Sequence, residues 1–169
     1  MSLVLMTDDR NAGWVGAARR LPHGSLVVVR ARDVAARAAL AEDLRGIAPL
    51  LIADDPALAA QMGAMGLHLP EKRMREALHW RAAHPGWIIT SSAHSLASLR
   101  HAHALDAVFL SPVFPTGSHR GAPALTPLRA AFIAARASVP VYALGGVTAR
   151  NAALLAPAFS GIAAIGSLL

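Results

Sequence analysis

Residues 49–69 read PLLIADDPALAAQMGAMGLHL and contain one complete strand–helix–strand unit, from which the fold of the whole chain can be predicted. The apolar run at 49–53 predicts a strand, and Asp54-Asp55-Pro56 predicts a helix start with proline in the first turn. The helix is expected to run to about Met65, and Gly66–Leu69 predicts the next strand. Both strands are continuous apolar runs, which is typical of a parallel sheet covered by helices.

The same unit repeats along the chain. Strands are predicted at 2–6, 25–30, 49–53, 66–69, 87–91, 107–111, 139–144 and 161–165. Helices are predicted between them at 11–21, 34–46, 56–65, 71–84, 95–104, 125–137 and 148–158. Eight alternating strands predict a single-domain (β/α)8 TIM barrel over residues 1–169. An open doubly wound sheet is the alternative, which the count of eight disfavours.

The chain is short for this fold, which usually takes ~200 residues or more. The predicted first helix is short, and the sequence ends just after the eighth strand, so we expect the last helix to be missing. Strands one and eight would then lose part of their outer cover and leave an apolar patch, and such patches usually mark an interface. The sequence therefore predicts a homodimer or a shielded barrel edge.

Composition excludes several classes of function. The absence of cysteine rules out disulfides, thiolate nucleophiles and cysteine metal sites, and it fits a cytoplasmic location. No apolar run approaches the roughly 20 residues of a membrane span, and acids stand where a signal peptide needs its apolar region. The formal net charge is +6, but arginine is scattered along predicted helices and aromatics are only 5%. We therefore expect phosphorylated small molecules as ligands, and neither nucleic acid nor membrane.

Polar side chains and glycines gather where the predicted strands end. In a barrel these ends meet at one rim, where function is found. The candidates are Arg30 and Arg32 after the second strand, Asp54 after the third, His68 in the fourth, Ser92 and His94 after the fifth, Thr116, Ser118 and His119 after the sixth, Gly145 and Gly146 after the seventh, and Gly166 after the eighth.

Two of these strand ends favour an anion site. Residues 107–121, AVFLSPVFPTGSHRG, bring hydroxyls, glycine amides and basic side chains into one loop. Gly145-Gly146 lets the backbone approach a ligand closely, and the loops after strands seven and eight commonly bind phosphate in this fold. The alternative is that the two glycines only make a tight turn.

Other candidates also have two interpretations. Asp54 and Asp55 can hold Mg²⁺ through carboxylate oxygens, or stabilise the start of the helix that they precede. His68 and His94 are candidate general bases or phosphate donors. His68 can instead be a hydrogen-bonded histidine of the barrel interior, and His94 a helix cap.

Four segments, in chain order, read LMTDDR, LLIADDPALAAQMGAMGLHLPE, SSAHSLASLRHAHALDAVFLSPVFPTGSHRGAP and VPVYALGGVTARNAALL. Together they resemble the thiamine phosphate synthase family, which includes the TenI-type thiazole tautomerases. The resemblance implies a (β/α)8 barrel that joins a hydroxymethylpyrimidine pyrophosphate to a thiazole phosphate and releases pyrophosphate with Mg²⁺. By position, the resemblance implies that Asp54 is a metal ligand and that Ser92 contacts pyrophosphate. It implies that Arg30 and Arg32 line the pocket for the pyrimidine and the pyrophosphate. The thiazole phosphate would be bound by Thr116, Ser118, the Gly146 amide and the backbone near Gly166.

The chain also departs from the family pattern. Val28 replaces the glutamine that would read the pyrimidine, and Arg32 replaces a lysine. Ala53 stands where an asparagine usually precedes the metal aspartate. Arg73 falls on the second metal aspartate, and His119 on the lysine after the strand-six hydroxyls. A cation at a metal-ligand position repels Mg²⁺, so Arg73 can instead neutralise phosphate directly.

Three functions stay open at this point. The first is a thiamine phosphate synthase, for which Ser92, His94 and His119 are the candidate catalytic residues. The second is a TenI-like tautomerase with His94 or His119 as base, although the histidine of that group falls nearer Ser111 here. The third is a non-catalytic protein that binds thiazole phosphate as an accessory of the thiamine pathway.

Overall fold

The computed structural model describes residues 2–9, 12–116, 123–155 and 157–165. Within them, eight parallel strands close into a barrel in chain order, which confirms the predicted (β/α)8 fold. The strands are β1 (Ser2–Met6), β2 (Leu26–Val29), β3 (Leu50–Ala53), β4 (Gly66–Leu69), β5 (Ile88–Ala93), β6 (Ala107–Leu110), β7 (Val141–Ala143) and β8 (Gly161–Ala164). The α-helices are α1 (Trp14–Arg19), α2 (Val34–Leu44), α3 (Pro56–Gln61), α4 (Ala77–Ala83) and α5 (Pro127–Ala134), and 3₁₀ helices lie at Glu71–Glu76, Ser98–Ala104 and Ala152–Leu155.

The barrel closes through β1, which pairs in parallel with both β2 and β8. Val4 is aligned with Leu26 on one side and with Ala163 on the other. Because all strands run in one direction, their C-terminal ends and the polar residues that follow them share one rim.

Two helix starts have aspartate caps. The Asp33 carboxylate accepts a hydrogen bond from the Ala36 amide at 2.7 Å at the start of α2. The Asp55 carboxylate accepts one from the Leu58 amide at 3.0 Å at the start of α3. This bond satisfies one of the free amides of the first turn. Of the two roles that the sequence allows for Asp55, metal ligand or stabilisation of the helix start, the structure shows the second.

The strands bury both of their faces, which explains their continuous apolar sequence. One face fills the barrel interior, in a cluster formed by Val4, Met6, Val28, Leu51, Ala53, Phe109, Leu144 and Ala163. The alternate residues pack outward against the helices, as Leu5, Val27 and Ile52 do with Leu44 of α2 and Leu58 of α3.

Three predicted α-helices are wrong over part of their length, because those segments are 3₁₀ helices. In 95–104, the Ser98 hydroxyl donates to the Ser95 carbonyl at 2.8 Å, so the side chain competes with α-helical bonding. Near 148–158, the Asn151 side chain accepts from the Thr148 amide at 2.8 Å, with the same effect. In 71–76, the 3₁₀ geometry aligns positions i and i+3, and Arg73 and Glu76 form an ion pair at that spacing.

The outer cover is uneven around the barrel. Leu3 of β1 and Ile162 of β8 are aligned neighbours and both are only half-buried, and β8 is the last strand or helix among the described residues. The homodimer stays a prediction. None of the helices in the part of the chain that the structure describes is long and apolar enough to cross a membrane.

Candidate functional site

At the C-terminal rim of the barrel, the described residues line a central cavity and two further cavities that each adjoin it. The β6–β8 cavity, of about 150 Å³, is lined by Ser111, Pro112, Thr116, Leu144, Gly145, Gly146, Val147, Thr148, Ala163, Ala164 and Ile165. The central cavity, of about 460 Å³, is lined by Met6, Asp8, Asp9, Arg30, Arg32, Pro70, Glu71, Ser92, His94, Ser111, Leu144 and Ile165. The β2–β4 cavity, of about 310 Å³, is lined by Arg30, Ala31, Arg32, Arg37, Ala53, Asp54, His68, Pro70 and Ser92.

Most residues predicted at the rim therefore meet there. Ser111, Leu144 and Ile165 line both the β6–β8 cavity and the central cavity. Arg30, Arg32 and Ser92 line both the central cavity and the β2–β4 cavity. Ser118, His119 and Gly166, which the sequence also places at this rim, lie outside the described residues.

Gly145 and Gly146 form a sharp bend after β7, with φ of 89° and 64°. A Cβ atom on Gly146 would lie 2.4 Å from the Pro115 carbonyl oxygen, and one on Gly145 would lie 2.8 Å from Pro112 Cα. The bend therefore packs directly against the loop after β6, and any side chain here would displace that loop. The two glycines therefore make a tight turn, which is one of the two interpretations that the sequence allows.

The two glycines of this bend also line the β6–β8 cavity. The carbonyl of Gly145 accepts from the Phe114 amide at 3.0 Å, and that of Gly146 from the Asn151 side chain at 2.9 Å. Within the described ranges, the amides of Gly145 and Gly146 donate to no other residue. Successive backbone amides in such a bend form a concave anion site.

His68 lies inside the barrel, as one of its two interpretations predicted. It is 3% exposed and stacks on Phe109, with ring centroids 4.9 Å apart. Burial, with a smaller contribution from the positive charge of Arg30, lowers the pKa of His68 to about 3. The imidazole is therefore neutral at pH 7, with one nitrogen donating and the other accepting.

This neutral imidazole positions Ser92. Its Nδ1 lies 2.9 Å from the Thr90 hydroxyl, and its Nε2 lies 3.1 Å from the Ser92 hydroxyl. Thr90 and Ser92 point into the barrel from β5, since residues two apart share a face of a strand. The chain of bonds fixes the Ser92 hydroxyl at the boundary of the central and β2–β4 cavities.

His94 is bonded across the β5–β6 edge. Its Nδ1 lies 2.7 Å from the Ser111 carbonyl oxygen, and its backbone amide donates to the Glu71 carboxylate at 2.5 Å. Because a carbonyl only accepts, Nδ1 carries a proton in this bond, which leaves Nε2 as the nitrogen that can accept one. The side chain is exposed and borders the central cavity, so this nitrogen is placed as a proton acceptor.

Backbone hydrogen bonds hold Arg30 and Arg32 in place. The Arg30 amide donates to the Thr7 hydroxyl at 2.8 Å, and this hydroxyl donates to the Arg30 carbonyl at 3.0 Å. The Arg32 amide donates to both carboxylate oxygens of Asp9 at 3.0 Å. These bonds tie the loop after β2 to β1 and leave two guanidinium groups to line the cavities.

Asp54 does not stand alone at the rim, because Arg73 binds it. Arg73 Nη1 donates to Asp54 Oδ1, while Arg73 Nε and Nη2 donate to the two oxygens of Glu76 at 2.7 and 2.6 Å. The bonds to Glu76 and Asp54 raise the pKa of Arg73, and Arg73 holds the pKa of Glu76 below its usual range. Asp54 has a φ of 57°, a left-handed conformation that is uncommon for residues other than glycine.

The oxygen atoms around Asp54 do not fit Mg²⁺. This ion needs near-octahedral oxygen ligands, usually with one or two free carboxylates. Here the carboxylates of Asp54 and Glu76 both bind a guanidinium, and that of Asp55 caps α3. In the part of the chain that the structure describes, no group of three or more histidine, aspartate or glutamate side chains could hold a metal ion.

Sequence reasoning missed Arg37. This arginine is 8% exposed and donates from Nη1 to the Ala53 carbonyl at 2.8 Å, and its buried Nε has no hydrogen-bond partner among the described residues. It lies at the edge of the β2–β4 cavity. The signal was its helical spacing, because Arg37 lies on the same face of α2 as the buried residues Ala41 and Leu44.

Comparisons with known proteins agree with this architecture. Residues 5–168 match the sequence profile of the family described as thiamine monophosphate synthase. The thiamine-phosphate synthase of Methanoculleus marisnigri is 31% identical, over 99% of this chain and 87% of that protein. The thiamine-phosphate synthase of Methanocella arvoryzae is 32% identical, over 99% and 86%. The solved structure of thiamine phosphate pyrophosphorylase from Pyrococcus furiosus superposes with a TM-score of 0.79 at 22% identity, over 97% of this chain and 85% of that one.

Proposed function

The chain belongs to the thiamine monophosphate synthase family, whose work is thiamine biosynthesis, and we propose that it joins a hydroxymethylpyrimidine pyrophosphate to a thiazole phosphate. The observation that carries this proposal is the pair of adjoining cavities that share Ser111, Leu144 and Ile165. One of them ends on a glycine bend whose two amides donate to no residue in the described part of the chain, and the other is lined by two arginines. Two anionic substrates can thus lie side by side.

In this proposal the thiazole phosphate lies in the β6–β8 cavity. The amides of Gly145 and Gly146 donate to its phosphate oxygens, and Thr116 borders the same space. The thiazole ring is then proposed to extend towards the residues that this cavity shares with the central cavity. Ser118, His119 and the backbone at Gly166 are proposed to complete this site.

The pyrimidine pyrophosphate lies in the central cavity, with its diphosphate towards Arg30, Arg32 and Ser92. The bond between the pyrimidine methylene carbon and the diphosphate oxygen breaks, and its electron pair leaves with the pyrophosphate. The lone pair of the thiazole nitrogen forms the new carbon–nitrogen bond. The arginines and the Ser92 hydroxyl stabilise the charge that grows on the leaving group.

A second candidate is proton transfer on a thiazole phosphate, as in a tautomerase. The observation that favours it is the bond from His94 Nδ1 to the Ser111 carbonyl, which makes Nε2 the free base beside the shared wall of the two cavities. A non-catalytic accessory that binds thiazole phosphate is the third possibility, and it requires the β6–β8 cavity alone.

We further expect a cytoplasmic protein whose ligands are small phosphorylated molecules, with no nucleic-acid partner. The basic balance of the chain supports anionic ligands.

The test is product formation by the purified protein from the two precursors, with thiamine phosphate and pyrophosphate both measured. The proposal predicts equal amounts of the two products, and a large loss of rate in Ser92→Ala. The matched control is Ser98→Ala, which removes a hydroxyl that bonds to Ser95, just before the 3₁₀ helix Ser98–Ala104. Tight thiazole phosphate binding without product, even at high protein concentration, would leave only the binding or tautomerase functions.

A further inference from the structure

We propose that the guanidinium of Arg73 takes the place of the divalent cation in this site, so that the protein binds its diphosphate substrate without Mg²⁺. The inference rests on the proposed function for its substrate, but the claim about the metal can be tested separately. It starts from a disagreement between this structure and the family resemblance, which implies two metal-binding aspartates at positions 54 and 73. Only Asp54 is present, and position 73 carries a positive charge.

Arg73 pairs with two carboxylates. Arg73 bridges Asp54, which follows β3, and Glu76, on the same 3₁₀ helix. A bound divalent cation would also join carboxylates from these two elements and neutralise them. The guanidinium supplies the same sign of charge with a fixed planar geometry, and its pKa is raised, so it stays charged at every physiological pH.

The oxygens of the two residues that flank Asp54 have other partners. The Ala53 carbonyl accepts from Arg37, and the Asp55 carboxylate accepts from the Leu58 amide and lies 3.9 Å from Arg37 Nη1. Arg73 thus holds the carboxylate that the resemblance assigns to the metal, and Arg37 contacts the residues on either side of it. A magnesium ion would have to displace the ion pair between Arg73 and Asp54.

The ion pair of Arg73 and Asp54 lies beside the proposed diphosphate site. Asp54 lines the β2–β4 cavity, beside Arg30, Arg32 and Ser92. Without a partner, its negative charge would repel a diphosphate entering from the central cavity. Arg73 cancels this charge, and a guanidinium has five N–H donors, of which three bind Asp54 and Glu76 among the described residues. The pair therefore presents no net negative charge at this wall of the cavity.

The test is Mn²⁺ binding, measured by electron paramagnetic resonance on the protein without substrate. We compare the wild type with Arg73→Asp, which places a third carboxylate beside Asp54 and Glu76. Arg75→Asp is the matched control, because it makes the same charge change two residues away, where the arginine contacts His101 instead. We expect Mn²⁺ binding by Arg73→Asp alone, and loss of that binding in the double variant Arg73→Asp, Asp54→Asn.

Two results would overturn the proposal. One is Mn²⁺ binding by the wild type that Asp54→Asn removes. The other is a folded Arg73→Asp variant that binds no more Mn²⁺ than Arg75→Asp. If Arg73→Asp does not fold, Arg73→Asn provides the same comparison, because it removes the cation and adds a neutral oxygen.

Activity gives a second readout. The wild type is expected to form thiamine phosphate at the same rate in excess EDTA as in Mg²⁺, and a rate that collapses in EDTA and returns with Mg²⁺ would contradict the proposal. A protein that forms no product in either condition refutes the proposed synthase reaction. The Mn²⁺ experiment then still decides whether position 73 excludes the metal.

Discussion

Replacing Gly146 by alanine tests both the packing of the glycine bend and its proposed binding of phosphate. Two costs arise at this position. The φ of 64° is a left-handed conformation, which costs a residue with a side chain about 1–2 kcal/mol. The new Cβ would also meet the Pro115 carbonyl oxygen at 2.4 Å and Phe114 Cβ at 2.8 Å, and overpacking of this kind adds about 1–3 kcal/mol.

The expected loss in the free energy of unfolding is therefore about 2–5 kcal/mol. Gly63→Ala is the matched control. Gly63 has a φ of 59°, but a Cβ there would meet nothing within 4 Å. This control should lose only the conformational part, about 1–2 kcal/mol. Urea denaturation of both variants and of the wild type measures the difference.

Binding of the thiazole phosphate should change as well. Relief of the clash must move the Gly146 amide or the loop after β6, and a hydrogen bond to a charged group contributes about 1.5–3 kcal/mol. Calorimetry should therefore show affinity falling by about ten- to a hundredfold in Gly146→Ala and unchanged in Gly63→Ala. Equal stability losses in the two variants would refute the packing argument, and unchanged affinity in Gly146→Ala would refute the phosphate role of the bend.

Three further outcomes are expected. Burial lowers the pKa of His68 to about 3 from an ordinary value of 6.5, so between these two pH values the unfolded state binds a proton that the folded state does not. Lowering the pH below 6.5 should therefore reduce the free energy of unfolding, by up to about 1.4 kcal/mol per pH unit, until the pH reaches the pKa of the folded state. Urea denaturation between about pH 7 and pH 5 should show a shallower dependence in His68→Gln, and an identical slope would contradict the buried neutral histidine. His94→Gln should abolish any thiazole tautomer conversion seen by NMR while leaving thiamine phosphate formation largely intact, and loss of both would show that His94 serves the coupling reaction. Light scattering should detect a homodimer, and a clean monomer at high concentration would argue against it.

The barrel was predictable because its strands have a simple sequence code. Both strands of the unit at 49–69 are apolar except for His68, so the parallel sheet follows from the sequence without any knowledge of neighbours. The bounds of β1 and β4 are those that the sequence predicts. The 3₁₀ segments were not predictable, since they depend on local side-chain bonds such as that between Ser98 and Ser95.

The candidate site was predictable as a set of strand ends, but not as a set of contacts. The proximity of His94 and Ser111 depends on the register of β5 and β6, in which Ala93 is aligned with Leu110. The bond between Arg73 and Asp54 needs the loop after β3 to meet the segment after β4, and residues 19 apart give no local signal of it. Arg37 was missed because an arginine on an alanine-rich helix is usually exposed.

The most direct test of the two-cavity site is a crystal structure of the protein with thiazole phosphate and pyrophosphate bound. The account predicts phosphate density within hydrogen-bond distance of the Gly145 and Gly146 amides, and diphosphate density on Arg30, Arg32 and Ser92. The two ligands should meet at Ser111 and Leu144. Thiazole phosphate bound in the central cavity, with the glycine bend making no contact to it, would contradict the account.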